Sequence, residues 1–360
     1  MKKIYNLLFL FTFTLGLAQA GAPASPYYNG FNWTLTGTAL KDALATKITT
    51  THTKFLSYTP GVWEALKVVD TDPNNANNVL LVYGWENGTD ADVTNDLSRS
   101  KSSNGGAVGD WNREHTYAQS VGTPDLGTSG AGSDAHHLRA ADVQRNGTRG
   151  NRLFTTGTGN SGAVGAYWYP GDQWKGDIAR MMMYMYLRYG SQCLPKNIGV
   201  GTIVSSDSNM IDLFLQWNAE DPVSQFEDNR NTYLGNTSNT YGQGNRNPFI
   251  DNPYLATRIW GGIAAENRWP TVFLSTTSFD ALANVSVYPN PSNDHRININ
   301  SEVELDEIQL ININGQVIQY IKKPNRVQEV YTIENLPQGF YFVKLSTSDN
   351  QTSTKKILIN

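Results

Sequence analysis

One stretch of the 360-residue chain carries helical apolar spacing more clearly than any other. Ile178, Met181, Met182, Met185, Tyr186 and Tyr189 fall at i, i+3, i+4, i+7, i+8 and i+11, with Gly190 just beyond. This predicts a core helix filled by adaptable methionines and ended by a glycine cap. Asp177 and Arg180, three apart, are expected to pair on its thinner polar face. Leu40, Leu44 and Ile48 mark a weaker helix within residues 27–58, and residues 62–69 suit another short one. Asp, Asn and Pro in 70–78 read as a loop, and the apolar run 79–83 as a buried strand. Further helices are expected at 209–217, from Asp221-Pro222, and at 254–260.

Between these lies a polar, glycine-rich region of different character. Residues 98–109 read as a loop, 111–119 as a strand, 121–132 as a connection, 135–138 as a second strand, and 140–149 as a helix stopped by Gly150. Strand, excursion, strand, helix is the outline of a ββα unit. After Pro270 the pattern changes again. Residues 274–283 form a Ser/Thr-rich linker, and from Asn284 only short β runs follow. Two of these flank Asn314-Gly315, a strong hairpin signal. The expected class is therefore α+β: a mixed helical domain at 21–273 built around the ββα unit, then a small all-β sandwich at 284–360.

Residues 1–20 read as a secretory leader: Lys2 and Lys3, an apolar stretch over 7–17, then Ala18-Gln19-Ala20. No run approaches the length of a membrane span. Cys193 is the single cysteine, so no internal disulfide is possible. The net charge is −4, which excludes a uniformly basic surface. Residues 99–188 nevertheless hold ten Lys/Arg against seven Asp/Glu, a local excess that suits an anionic substrate.

Candidate chemistry concentrates in two runs. Trp111–His115 sets Glu114 beside His115 with Arg113 before them, and residues 133–139 (Ser-Asp-Ala-His-His-Leu-Arg) lead on to Asn146 and Arg149. Phosphodiester hydrolysis needs a base for water, for which a neutral histidine is suited, and neutralisation of phosphate charge. A hard cation such as Mg²⁺ takes oxygen ligands, which Glu114 and Asn146 could supply. Arg113, Arg139 and Arg149 are available cations. Neighbours on a strand point opposite ways, so Glu114 and His115 can share one phosphate only if the strand ends or bends there. His136 and His137 lack further His or Cys at zinc-ligand spacing, and on a strand at most one of them points inward; a structural or supporting role is expected for His136, and Asp134 is expected to cap or orient the loop. His52 and His295 are expected to be uninvolved.

The runs at 112–115 and 133–142, then Asn146 and 149–151, together with 175–180, resemble the bacterial endonuclease I family of secreted nucleases, within the His-Me finger (ββα-metal) superfamily. The resemblance covers most of 30–265. It implies His115 as general base, Glu114 and Asn146 holding one Mg²⁺, Arg149 and Arg113 on phosphate, and products with 5′-phosphate ends. DNA, with RNA as a further candidate, would be the substrate. Two departures are visible: Thr116-Tyr117-Ala118 replaces a Val-Trp-Pro-like run, and Arg145 precedes Asn146 where an apolar residue is common. Residues 287–291, 313–316, 336–341 and 355–359 resemble a C-terminal sorting domain of type IX secretion. That implies export through the periplasm, a released or surface-attached protein, and the secretion machinery as partner; a monomer is expected.

Two other readings compete with a Mg²⁺-dependent nuclease. One is a catalytically degenerate, adhesin-like surface protein, against which stands the joint presence of Glu114, His115 and Asn146. The other is a phosphodiesterase of small nucleotides. With an unshifted base, nuclease activity would fall below about pH 6.5.

Overall fold

Leu40, Leu44 and Ile48 are all fully buried along one side of the helix Gly37–Thr51 in the computed structural model of the protein. The structure describes residues 21–273, 282, 285–347 and 352–360. The leader expected at 1–20 and nearly all of the 274–283 linker lie outside the described residues. The chain divides into two compact units, 1–272 and 273–360.

In the first unit the methionine-rich helix runs over Lys175–Tyr189 and is capped by Gly190 at φ 55°. Every residue from Gly176 to Leu187 is buried. The helices Gly37–Thr51 and Asp212–Glu220 pack against it. With cover on all sides, the thin polar face meets other charges. Arg139 donates to Asp177 at 3.0 Å, and Arg180 makes a two-pronged pair with Glu227 at 2.6 and 2.9 Å. Asp177 and Arg180 are themselves 3.9 Å apart. Asp70 lies between Arg139 (3.3 Å) and Arg230, and its other oxygen accepts from the Ala140 amide at 2.7 Å. Asp70 thus ties the end of the helix Trp63–Val69 to the strand Leu138–Asp142.

Several boundaries depart from the expectation for local reasons. Part of the loop read at 70–78 is a strand, Asn75–Leu80, paired with Thr71–Asp72 and with Ser98–Ser100. The apolar run leaves that ladder after Leu80, and Tyr83 takes a positive φ of 74°. No helix begins at Asp221-Pro222, because Asp221 accepts from the Gly176 amide. The helix begins at Gln225, where Ser224 and Glu227 form a capping box. The helix expected at 209–217 runs over Asp212–Glu220, after a strand Asp207–Ile211. Tyr254–Trp260 is helical as expected. Cys193 is buried and free.

Among its described residues the second unit is all β. A three-stranded sheet (Ser286–Tyr288, Ile297–Asn300, Val330–Ile333) and a four-stranded sheet (Val317–Lys322, Glu307–Asn312, Gly339–Ser346, Thr352–Ile359) enclose one apolar core. Gly315 turns the hairpin between Glu307–Asn312 and Val317–Lys322 with φ 80°.

Asp70→Ala leaves the guanidiniums of Arg139 and Arg230 buried without their shared carboxylate. A loss of about 3–5 kcal/mol is expected for such a break, read as a lower urea midpoint than the parent's. A variant unfolding within 1 kcal/mol of the parent, roughly the experimental scatter, would show the network to be dispensable.

Candidate active site

The two chemistry-bearing runs meet as an antiparallel ladder. Trp111–His115 pairs with Leu138–Asp142, setting Glu114 opposite Arg139 and His115 opposite Leu138. The second strand starts at Leu138, where the expected one ends, because the preceding amides are bound elsewhere. Ala135 N donates to Gln243 Oε1 at 2.7 Å, and His136 N to Asp134 Oδ1 at 2.9 Å. Asp142 closes the strand and caps the next helix, Val143–Arg149, by accepting from the Arg145 amide. Gly150, at φ 54°, ends that helix. Strand, excursion, strand and helix therefore occur in the expected order, with shifted bounds.

Strand alternation puts Asn112 and Glu114 on one face. Asn146, on the helix, donates through Nδ2 to Asn112 Oδ1 at 2.7 Å. That contact commits the nitrogen end of Asn146 and leaves Oδ1 as its ligand-capable atom. Glu114 is 2% exposed, and burial raises its pKa. Its Oε1 accepts from the Tyr83 hydroxyl at 2.8 Å and lies 3.2 Å from Arg149 Nη1. Both donors converge on one oxygen, which leaves Oε2 the less engaged. Two hard oxygens, Glu114 Oε2 and Asn146 Oδ1, fit a magnesium-type ion that keeps several waters. Among the described residues no group of three His, Cys, Asp or Glu gathers as a metal cluster. An ion here would rest on the carboxylate, the amide and solvent.

His115 is the last residue of its strand, as sharing with Glu114 requires. Its ring stacks on Tyr58, with centroids 5.6 Å apart, and its Nε2 lies 3.0 Å from the Gly132 carbonyl. A carbonyl only accepts, so Nε2 carries the proton and Nδ1 holds a free lone pair. Burial lowers the pKa of the ring to about 4, so it is neutral at pH 7.

The accepting carbonyl belongs to the turn Gly130–Ser133. A Cβ on Gly132 would overlap the carbonyl of Gly127, so only glycine fits. The adjacent Ala131 carbonyl accepts from His137 Nε2 at 2.7 Å. Asp134 fixes the turn from behind: Tyr184 and Tyr189 hydroxyls donate to its Oδ2 at 2.7 and 2.8 Å, and Gln243 donates to Oδ1 at 2.9 Å. His136 is bound to the Asn245 carbonyl, and His52 lies 3.9 Å from Asp134. These histidines support the excursion and do not line the cleft.

That cleft, of about 440 Å³, is lined among others by Arg113, Glu114, His115, Asn146, Arg149 and Asn151. The two arginines are held differently. Arg113 lies over the rings of Tyr58 (3.5 Å) and Trp63 (4.3 Å), and its Nη1 donates to Tyr58 O and Thr59 Oγ1. Arg149 is 1% exposed and donates to the carbonyls of His115 (3.0 Å) and Thr116 (2.8 Å) besides its contact with Glu114. Its terminal nitrogens are thus engaged within the protein, and Nε alone has no partner among the described residues. A site cation occupied in this way positions other groups better than it grips phosphate. Arg139 is fully buried in the ion network and does not line the cleft. Sequence reasoning missed Tyr83, Asn112, Tyr58 and Gly132. Of these, Asn112 lies in the run 112–115 already singled out and Gly132 in a Gly-Ala-Gly-Ser turn, whereas Tyr58 and Tyr83 left no local signal.

The profile of the Endonuclease I family matches residues 36–254, and that of a secretion system C-terminal sorting domain matches 286–360. An extracellular ribonuclease of Bacillus amyloliquefaciens is 45% identical over 235 residues, covering 62% of this chain and 74% of the relative. An extracellular ribonuclease of Bacillus subtilis (strain 168) is 43% identical over 264 residues, 69% of this chain and 84% of its own. The ulvan lyase NLR42 of Nonlabens ulvanivorans is 25% identical over 88 residues, 24% of this chain and 16% of the lyase.

Burial lowers the pKa of His136 to about 4 and of His137 to about 3, alongside His115. The unfolded chain binds protons at these rings from about pH 6.5 downward while the fold refuses them. Stability should be fully present above about pH 6.5 and decline steadily as pH falls toward 4. Urea midpoints at pH 7.5, 6.0 and 5.0 check this. A constant midpoint across that series contradicts it.

Proposed function

The chain belongs to the endonuclease I family, and from that premise we propose that this secreted or cell-surface nuclease is a Mg²⁺-dependent, sequence-tolerant endonuclease acting at a ββα-metal site. The Bacillus relatives are named ribonucleases, which supports RNA as a substrate beside DNA. A cleft that meets phosphate and sugar carries no base information, so little sequence preference is expected. The observation that carries the reading is the His115–Gly132 hydrogen bond. It fixes the tautomer, so a neutral ring offers its Nδ1 lone pair in the cleft that Glu114 and Asn146 also line.

In this reading His115 Nδ1 takes a proton from water as the water oxygen bonds to phosphorus. The bond from phosphorus to the 3′ oxygen breaks, the 3′ oxygen takes up a solvent proton, and the product keeps a 5′-phosphate. A phosphate arriving beside the imidazole raises its pKa and improves it as a base. Glu114 and Asn146 would hold the cation, which when bound supplies Lewis-acid neutralisation of phosphate charge. Arg113 is the cation assigned to substrate. Arg149 holds Glu114 and the 115–116 backbone in register.

The mature protein is expected to cleave plasmid DNA and RNA with Mg²⁺ and neither with excess chelator; undiminished cleavage under chelation would sink the reading. His115→Ala should lose about 10²–10⁴-fold in rate while its thermal midpoint stays near the parent's. Rates close to the parent's would remove His115 as the base. An adhesin-like protein would cleave nothing in either assay.

A further inference from the structure

Tyr83 is the most unusual residue around the cleft. It is bulky and fully buried, yet holds φ at 74°, a region that favours glycine. The following Gly84 cannot carry a side chain, because a Cβ would overlap the Asp96 carbonyl. The Tyr83 carbonyl accepts from Ser161 Oγ at 2.6 Å, and that same Oγ accepts from Arg145 Nη1 at 3.0 Å. The Arg145 guanidinium lies 4.3 Å over the Trp85 ring. On its other side the Tyr83 ring meets Trp168 edge-on, at 5.4 Å between centroids. The chain Arg145–Ser161–Tyr83 therefore ends at a single atom, Glu114 Oε1, to which the phenol donates. Arg145 is also the residue that departs from the family pattern beside Asn146.

We propose that Tyr83 is a positioning residue that decides which oxygen of Glu114 is offered to the divalent cation. With Oε1 held by the phenol and by Arg149, the carboxylate cannot rotate, and Oε2 is the oxygen presented. Tethering of the Tyr83 backbone by Ser161 keeps the phenol on target. Groups that orient a metal ligand typically change metal affinity by about 10–100-fold when removed. This inference rests on the reading of Glu114 and Asn146 as metal ligands.

The test is direct Mn²⁺ and Mg²⁺ binding to the full mature protein, by calorimetry and by the Mn²⁺ paramagnetic resonance signal, without substrate. Parent, Glu114→Gln, Tyr83→Phe and Ser161→Ala are compared. Tyr83→Phe should bind Mn²⁺ about 10-fold more weakly, with an altered Mn²⁺ signal and a cooperative unfolding transition. Nuclease kcat should return toward the parent's at saturating metal, because only presentation is impaired. Parent-like affinity in Tyr83→Phe overturns the proposal, as does parent-like affinity in Ser161→Ala should Tyr83→Phe not fold. If Glu114→Gln binds as tightly as the parent, it is the metal-ligand reading that fails instead.

Discussion

Glu114 and His115 take their positions from the ladder between Trp111–His115 and Leu138–Asp142, which also leads into the helix that carries Asn146 and Arg149. A ladder of this kind delivers side chains to alternate faces, so it separates Glu114 from His115 as readily as it brings them near. The conflict is resolved at the strand's end. Arg149 reaches from the helix to the last rung, meeting the Glu114 carboxylate and the His115 carbonyl with one nitrogen. A buried cation thus works as a clamp between a side chain of one face and the backbone that carries the other. Loss of the ladder's register by one residue would exchange the faces and dissolve the site.

The ladder is in turn held by charge. Asp70 binds the Ala140 amide and two guanidiniums, and Arg139, opposite Glu114, continues to Asp177 on the core helix. Burying so many charges carries a large desolvation penalty, and an apolar replacement of the set could be equally stable. What apolar packing would not supply is direction. A carboxylate that accepts from one particular amide fixes the strand along its own axis, which greasy contacts do less sharply.

Long-range pairing is also where sequence reading stopped. The helices Lys175–Tyr189 and Tyr254–Trp260, the buried side of Gly37–Thr51 and the Asn314-Gly315 hairpin were legible because spacing and turn chemistry are local. The grouping of Glu114, His115 and Asn146 was legible through their runs. Tyr83 was not, since its hydroxyl serves a carboxylate 31 positions away and its own run reads as plain strand. Asp177 and Arg180 pair as their spacing suggested, but their further partners Arg139 and Glu227 were hidden, because periodicity reports which side is apolar, not what covers the other side. The depressed pKa of His115 likewise depends on burial supplied by distant segments, Tyr58 and the 130–133 turn among them.

Cys193 gives the molecule an unplanned clock. It is the only thiol in the sequence, its side chain is fully buried, and burial pushes its pKa up, so in the native state it is both hidden and unreactive. A thiol-directed dye added to the intact protein can label it only when the surrounding helix and turn come apart. With no second thiol there is no internal disulfide exchange to confuse the signal. The labelling rate at low denaturant therefore reads the opening of the nuclease unit alone, while the β unit, which lacks cysteine, stays silent.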